Sequence, residues 1–411
     1  MADKQWITEE DGLTRTRTCA WSAPGCHPVG CGLLIYTDAD GNFVKVEGDP
    51  DHPITEGRLC PRCLAIGEFL NHPDRIRHPM KRAREDRGKD KWEVISWDEA
   101  LDILETEVRH IWDTYGAETI TVMKGTGREA TFYAPAMAQA VFKTSNSAQA
   151  LSGNSCYGPR TVVADYMLGA GYPELDYAAF FPDRYDDPRY EVPKYIILWG
   201  KSPLQSNPDG FFGHAIIDLM KRGSKLIVID PRLTWLASRA EFHLQLRPGT
   251  DAALALGLAK IIEEEGKTDD AFMQQKSCAP FLVKESDGRF LRKSDLEEGV
   301  AADADDFAVW DEATNAMGYA STAQNPVLRK KGIEVAGQRC NTAYSLLIDR
   351  ISEYPIEMVS EVTTVPEETI RTFADLLCRP GMADIFQGYG IDHYGHGFNT
   401  IAAVSVLRIM R

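Results

Sequence analysis

Cys19, Cys26 and Cys31 fall within thirteen residues in the stretch "TRTCAWSAPGCHPVGCGLLIY", and Cys60 and Cys63 follow in "GRLCPRC". Thiolates so spaced have three chemical uses: a disulfide, a zinc ion or an iron-sulfur cluster. Nine cysteines in 411 residues is an odd and modest number, and no basic-then-apolar leader precedes them, so a secreted disulfide framework is not expected. The thiols are expected to be reduced and the chain cytoplasmic. Cys26, Cys31, Cys60 and Cys63 suit a two-knuckle zinc site, because "CPRC" is a short knuckle. Cys19, Cys26, Cys31 and Cys60 equally suit a 4Fe-4S cluster. Spacing alone leaves both open.

A second chemical position is Cys156 in "SGNSCYGPR", which follows a Gly-Asn turn and precedes Gly-Pro, as a residue presented from a loop does. Taken alone, an isolated cysteine is more often a small buried hydrophobe than a ligand. Arg62, two residues beyond Cys60, reads by itself as a surface charge.

The net charge of -16 repels phosphate backbones and argues against nucleic acid as a partner. No uninterrupted apolar run reaches the roughly 20 residues needed to span a bilayer. At about 150 residues per domain the length allows two or three domains. Residues 1–81 carry short apolar runs separated by Asp-Gly and His-Pro turns, the pattern of a small β-rich cap. "SWDEALDILETEVRHIWDTYG" within residues 82–190 predicts a helix capped by Ser96 and Glu99, with Leu101, Leu104, Val108 and Ile111 on one face and Gly116 as its stop.

Residues 191–277 hold the clearest architecture. "KYIILWGKS" and "SKLIVIDPR" are apolar runs of strand length, and "GFFGHAIIDLMKRG" between them has helical periodicity. A strand-helix-strand crossover builds a parallel sheet, and "ETITVMKG" supplies a further strand. Ligands of such sheets sit beyond the carboxyl ends of the strands, which points to Gly200, Lys201 and Ser202, and to Asp230 and Arg232. No GxGxxG follows the first strand, so a plain NAD site has weak support. Gly249, Thr250 and Asp251 open the helix "DAALALGLAKIIEEEG", although Asp230 and Asp251 are explained more simply as a strand terminus and a helix cap. Residues 278–340 read as an acidic, hairpin-rich insertion, and residues 341–411 return to α/β rhythm. "QGYGIDHYGHG" is a glycine-rich turn in which Gly388 and Gly390 bring backbone close to a ligand and His393, Tyr394 and His396 line a pocket. The chain stops within the apolar helix "FNTIAAVSVLRIMR", whose apolar face is expected to lack partners, as in a fragment or one half of a split protein.

Together, "VKVEGDPDHPITEGRLCPR", "NHPDRIRHPMKR", "SWDEAL", "IDPR" and "RPGTDAAL" resemble, in order and spacing, the molybdopterin oxidoreductases of the dimethyl sulfoxide reductase family. The resemblance runs from about Thr18 to the end of the chain. It implies an α/β fold in which a small β-rich 4Fe-4S cap precedes doubly wound, mainly parallel sheet domains, with the chain cut before a carboxyl-terminal cofactor-binding domain. It implies cluster ligation by Cys19, Cys26, Cys31 and Cys60, with Arg62 bridging cluster and pterin on the electron path. Two features depart from the family: the first cysteine gaps are longer than usual, and Cys63 stands where a glycine usually follows "CP(K/R)". Cys156 then aligns with the protein ligand to molybdenum or tungsten. Tyr157 replaces the histidine of formate dehydrogenases, leaving a phenol able to donate a hydrogen bond or proton near the metal.

The resemblance further implies two molybdopterin guanine dinucleotides contacted by Gly200, Lys201, Ser202, Asp230, Arg232, Gly249, Thr250, Asp251, Gly388 and Gly390. Implied partners are a small-molecule substrate, an iron-sulfur electron-transfer subunit and a second polypeptide supplying the missing domain. The function implied is a molybdenum- or tungsten-dependent oxidoreductase, with a non-redox hydratase or transhydroxylase as the alternative and a zinc-stabilised α/β binding protein as the third reading.

Overall fold

The computed structural model describes residues 6–20, 30–124, 128–149, 158–169, 171, 173–178, 180–205 and 212–411. Cys26, Cys156 and Tyr157 lie outside the described residues. The chain divides into two compact units: residues 1–156 with 203–218, and residues 157–202 with 219–411.

The first unit opens on an antiparallel meander of Ile7–Glu10, Leu13–Ala20, Cys31–Thr37 and Phe43–Gly48, the β-rich cap expected from the alternating runs and Asp-Gly turns. Its register sets Ala20 opposite Cys31 and Cys19 opposite Gly32. A one-turn helix, Pro61–Leu64, starts immediately after Cys60, with Pro61 at the first helical position where a missing N–H costs nothing. The helix Trp97–Tyr115 forms as its pattern predicts: the Ser96 side chain accepts from the Glu99 backbone N–H at 3.0 Å, and Gly116 ends it. The strand in "ETITVMKG" is Val122–Lys124, which pairs in parallel with Ser147–Gln149 in a separate two-stranded sheet.

The second unit is built on a four-stranded, wholly parallel sheet ordered Phe242–Leu244, Lys225–Ile229, Tyr195–Trp199, Met382–Gln387. Ile196 to Trp199 and Leu226 to Ile229 are all but fully buried, which is why these strands read as continuous apolar runs rather than alternating ones. The helix Asp251–Glu264 puts Leu254, Ala255, Leu258 and Ile262 into the same core. The carboxyl-terminal helix Gly397–Met410 packs on Asp251–Glu264 and on Gly158–Leu168, burying Ile401, Val404, Leu407 and Met410. Its apolar face therefore has partners, contrary to the expectation from its sequence, because the helices it packs against lie 130 or more residues upstream and leave no local signal. The acidic segment forms antiparallel hairpins: Leu282–Lys284 and Ile333–Val335 flank Gln338–Thr342, and Ala308–Asp311 pairs with Ala316–Tyr319. They enclose a small core of Leu282, Leu291, Ala308, Ile333 and Cys340.

Strands 195–199 and 382–387 are neighbours although 187 residues separate Tyr195 from Met382, and the strand order reverses between them. In open parallel sheets such a reversal opens a crevice at the carboxyl ends.

Candidate cofactor sites

In the first unit, Cys31, Cys60 and Cys63 come together in a small apolar pocket closed by Leu33, Ile35, Val46, Leu59 and Ile66. Cys63 is fully buried, and its thiol lies within hydrogen-bonding reach of both Cys31 and Cys60. The bond to Cys31, burial, and the charges of Cys31 and Cys60 push the Cys63 thiol far above its ordinary value. Cys19 is exposed on the same strand pair. Burial first, then Asp49 and Cys31, push its thiol up. Among the described residues no three His, Cys, Asp or Glu side chains close on a single metal ion. A 4Fe-4S cluster takes one thiolate at each of four irons, so its ligands stand apart around a cube. Soft thiols gathered in an apolar pocket are the donor type that such a cluster takes. Arg62 lies on the exposed side of Pro61–Leu64.

In the second unit the sequence-predicted residues gather along the carboxyl edge of the parallel sheet. Gly200 follows Tyr195–Trp199 with φ +59°, and Lys201 and Ser202 are buried beside it. The Lys201 ammonium lies 3.8 Å from the centre of the Phe386 ring. Gly388 N–H donates to the Trp199 carbonyl at 2.9 Å and Gly390 N–H to that of Gly200 at 3.0 Å, joining the two strand ends across the crevice. A Cβ on Gly388 would stand 2.5 Å from the Gly200 carbonyl oxygen, and one on Gly390 2.7 Å from it. Both glycines are thus required by the closeness of these turns to each other, a reason the sequence did not reveal.

Asp230 is buried at the end of Lys225–Ile229 and accepts from the Arg232 backbone N–H at 2.8 Å, while the Arg232 guanidinium projects to solvent. Asp251 accepts from the Trp199 indole N–H at 2.7 Å, and burial raises its carboxyl above the usual range. The Thr250 hydroxyl donates to the Arg247 carbonyl at 2.7 Å. His396 meets the Gly249 carbonyl at 3.1 Å and stacks with Tyr394, whereas exposed His393 stacks on Tyr389.

Sequence reasoning missed a buried polar group at this crevice. Arg160, in the first turn of Gly158–Leu168, donates to the Gln387 carbonyl at 2.7 Å, lies 3.0 Å from the Asp392 carboxylate and covers the Tyr389 ring at 4.6 Å. Asp392 is buried, neither of its oxygens receives an aligned hydrogen bond among the described groups, and burial lifts its carboxyl to about 6 against the pull of Arg160, His393 and Lys201. Gln387 is 1% exposed, and neither its side-chain nitrogen nor its side-chain oxygen has a partner among the described groups. A charge inside the apolar stretch "GPRTVVADYML" was the one available signal, since a buried Arg demands a partner. A buried amide left unpaired beside a polar rim fits a ligand with its own hydrogen-bonding edges, as a pterin has. Lys201 and the exposed Arg232 suit anionic phosphates.

Residues 75–410 match the family described as molybdopterin oxidoreductase, and residues 24–72 match the molybdopterin oxidoreductase Fe4S4 domain. The chain is 30% identical over 268 residues to the probable oxidoreductase YyaE of Bacillus subtilis, covering 65% of this chain and 36% of that one. It is 24% identical over 426 residues to the formate dehydrogenase-O major subunit of Escherichia coli, covering 98% and 39%. Among solved structures it superimposes on acetylene hydratase from Pelobacter acetylenicus with a TM-score of 0.62 at 22% identity, covering 96% of this chain and 43% of that one, a likeness of fold alone. The chain thus spans about two fifths of the length of the relatives it matches. No helix among the described residues is long and apolar enough to cross a membrane. With a thiol pocket in one unit and a switch-point crevice in the other, the chain belongs to the molybdopterin oxidoreductases of the dimethyl sulfoxide reductase family, with sites for a 4Fe-4S cluster and a molybdopterin cofactor.

Proposed function

We propose that this chain forms part of the catalytic subunit of a molybdenum- or tungsten-dependent oxidoreductase that holds its pterins as guanine dinucleotides, acts on a small molecule and works in the cytoplasm with an iron-sulfur electron-transfer subunit. The observation that carries the reading is the crevice at the strand reversal, where Asp392, the Gly200–Ser202 turn and the Gln387 amide, which has no hydrogen-bond partner among the described residues, meet. Cys156 would be the protein ligand to the metal, which when bound would supply two-electron or atom-transfer chemistry. The chain's residues do the rest. Gly200, Lys201, Ser202 and Gln387 bind and orient the pterin. Asp230, Arg232, Gly249, Thr250 and Asp251 receive the nucleotide portion, with Asp230 and Asp251 already held in place by the Arg232 N–H and the Trp199 indole. Tyr157 supplies a proton or hydrogen bond beside Cys156, and Arg62 lies on the electron path.

The test is metal analysis of anaerobically purified protein, with release of GMP from the cofactor by mild acid. Molybdenum or tungsten together with iron and about one or two GMP per chain supports the reading; zinc without these overturns it. The fold shared with acetylene hydratase favours one second reading, non-redox hydration at the same site. Turnover without any electron acceptor selects that second reading, and strict dependence on an acceptor selects the first.

A further inference from the structure

The cap contains five cysteines for a cluster that takes four, and the meander's register decides between two of them. Side chains alternate between the faces of a sheet. Ala20 stands directly opposite Cys31 and packs into the pocket of Cys31, Cys60 and Cys63. Cys19, its neighbour, is paired with Gly32 and must therefore point to the other face.

That other face is occupied and polar. A Cβ on Gly32 would stand 2.4 Å from His52 Cβ, so the Asp49–His52 turn lies directly on it. Arg17, of the same parity as Cys19, pairs there with Asp49 at 3.1 Å and with Asp51 at 2.7 Å. Bringing Cys19 to Cys31, Cys60 and Cys63 would require a one-residue slip of Leu13–Ala20, which would turn every side chain of that strand over. Cys63 needs no such change. One turn along the helix Pro61–Leu64 from Cys60, it shares that residue's face and is completely buried against Cys31.

We propose that Cys63 is a ligand of the 4Fe-4S cluster in place of Cys19. The inference rests on cluster binding by this cap and replaces one member of the ligand set implied by family resemblance. Cys19 is left as a thiol on the polar face.

The test uses the full chain, purified anaerobically as wild type, Cys19→Ala, Cys63→Ala and Cys63→Ser, with iron and acid-labile sulfide counted and the EPR spectrum of the reduced protein recorded. Circular dichroism of each variant verifies folding, and the near-isosteric serine keeps the pocket filled should alanine destabilise the cap. The expected result is about four iron per chain and an unchanged spectrum for Cys19→Ala. Cys63→Ala should lose most of its iron, and Cys63→Ser should lose iron or show an altered spectrum while remaining folded. Full iron and a wild-type spectrum in both Cys63 variants, or loss of the cluster in Cys19→Ala, overturns the proposal. A wild-type chain that takes up no iron on reconstitution overturns cluster binding itself, and that result is separable because it precedes any comparison of variants.

Discussion

Arg160 donates to the backbone carbonyl of Gln387 at 2.7 Å across 227 residues of sequence, and so fixes the first turn of the helix that follows Cys156 to the end of the strand at the sheet's switch point. The residues on either side of that bond include those assigned a role in the proposed function. Cys156 precedes Arg160 by four positions, and Gly388, Gly390 and Asp392 follow Gln387 within five.

Replacing Arg160 with Met removes the charge that faces buried Asp392 and leaves the Gln387 carbonyl without its donor. Breaking one side of a buried pair typically costs about 3–5 kcal/mol. Denaturant unfolding should show a loss of that order, and Arg160→Lys, which cannot span both partners, should recover only part of it.

Asp392 makes stability depend on pH in a defined window. Burial raises its carboxyl from 3.8 to about 6. Well below pH 3.8 it is protonated in both folded and unfolded chains and contributes nothing. As pH rises through 4 to 6 the unfolded chain gives up this proton while the folded chain keeps it, so stability falls, by on the order of 3 kcal/mol at about 1.4 kcal/mol per pH unit. Above pH 6 the penalty is constant. Urea titrations of wild type and Asp392→Asn at pH 4.5, 5.5 and 7 should differ in slope against pH, with the variant losing less stability across the window.

Gly388→Ala tests whether the crevice needs the close approach of its two walls. The added Cβ meets the Gly200 carbonyl oxygen at 2.5 Å and Lys201 Cβ at 2.6 Å, so one turn must move. A loss of about 1–3 kcal/mol is expected for such overpacking, together with reduced pterin retention, measured as pterin fluorescence after oxidative release. Undiminished retention would show that the turn tolerates the shift.

Trp199→Phe removes the indole N–H that Asp251 accepts while keeping an aromatic ring in the core. Leaving a buried carboxylate short of its donor should cost about 1–3 kcal/mol. Thermal unfolding followed by near-ultraviolet circular dichroism measures it.

Arg232→Ala should separate binding from folding. The side chain is largely exposed, so stability should change by no more than about 0.5 kcal/mol. GMP recovered per chain from purified protein should nevertheless fall severalfold if Arg232 receives the nucleotide portion of the cofactor.

Several elements were legible because their signals are local. Continuous apolar runs at 195–199 and 225–229 announce strands buried on both faces, Ser96 and Gly116 bracket a helix, and Asp230 and Asp251 stand at element ends where their types belong. Arg160, Gln387 and Asp392 were not legible as a group, because no periodicity relates residues more than 200 positions apart. The reading of Gly388 and Gly390 as places where backbone approaches a ligand is joined by a second reason, their contact with the Gly200 turn.

By itself the sequence determined the α/β class, the β-rich cap and the parallel crossover, since each is written in spacings no longer than one supersecondary unit, and the order of motifs that marks the family, since each motif is read locally. Only the tertiary structure decided where the sheet reverses its strand order, which buried polar groups face the crevice and which cysteines share a face. Those are properties of pairing between distant segments: a strand's register assigns each side chain to one face or the other, and a shift of a single residue would have exchanged Cys19 for Ala20 in the thiol pocket.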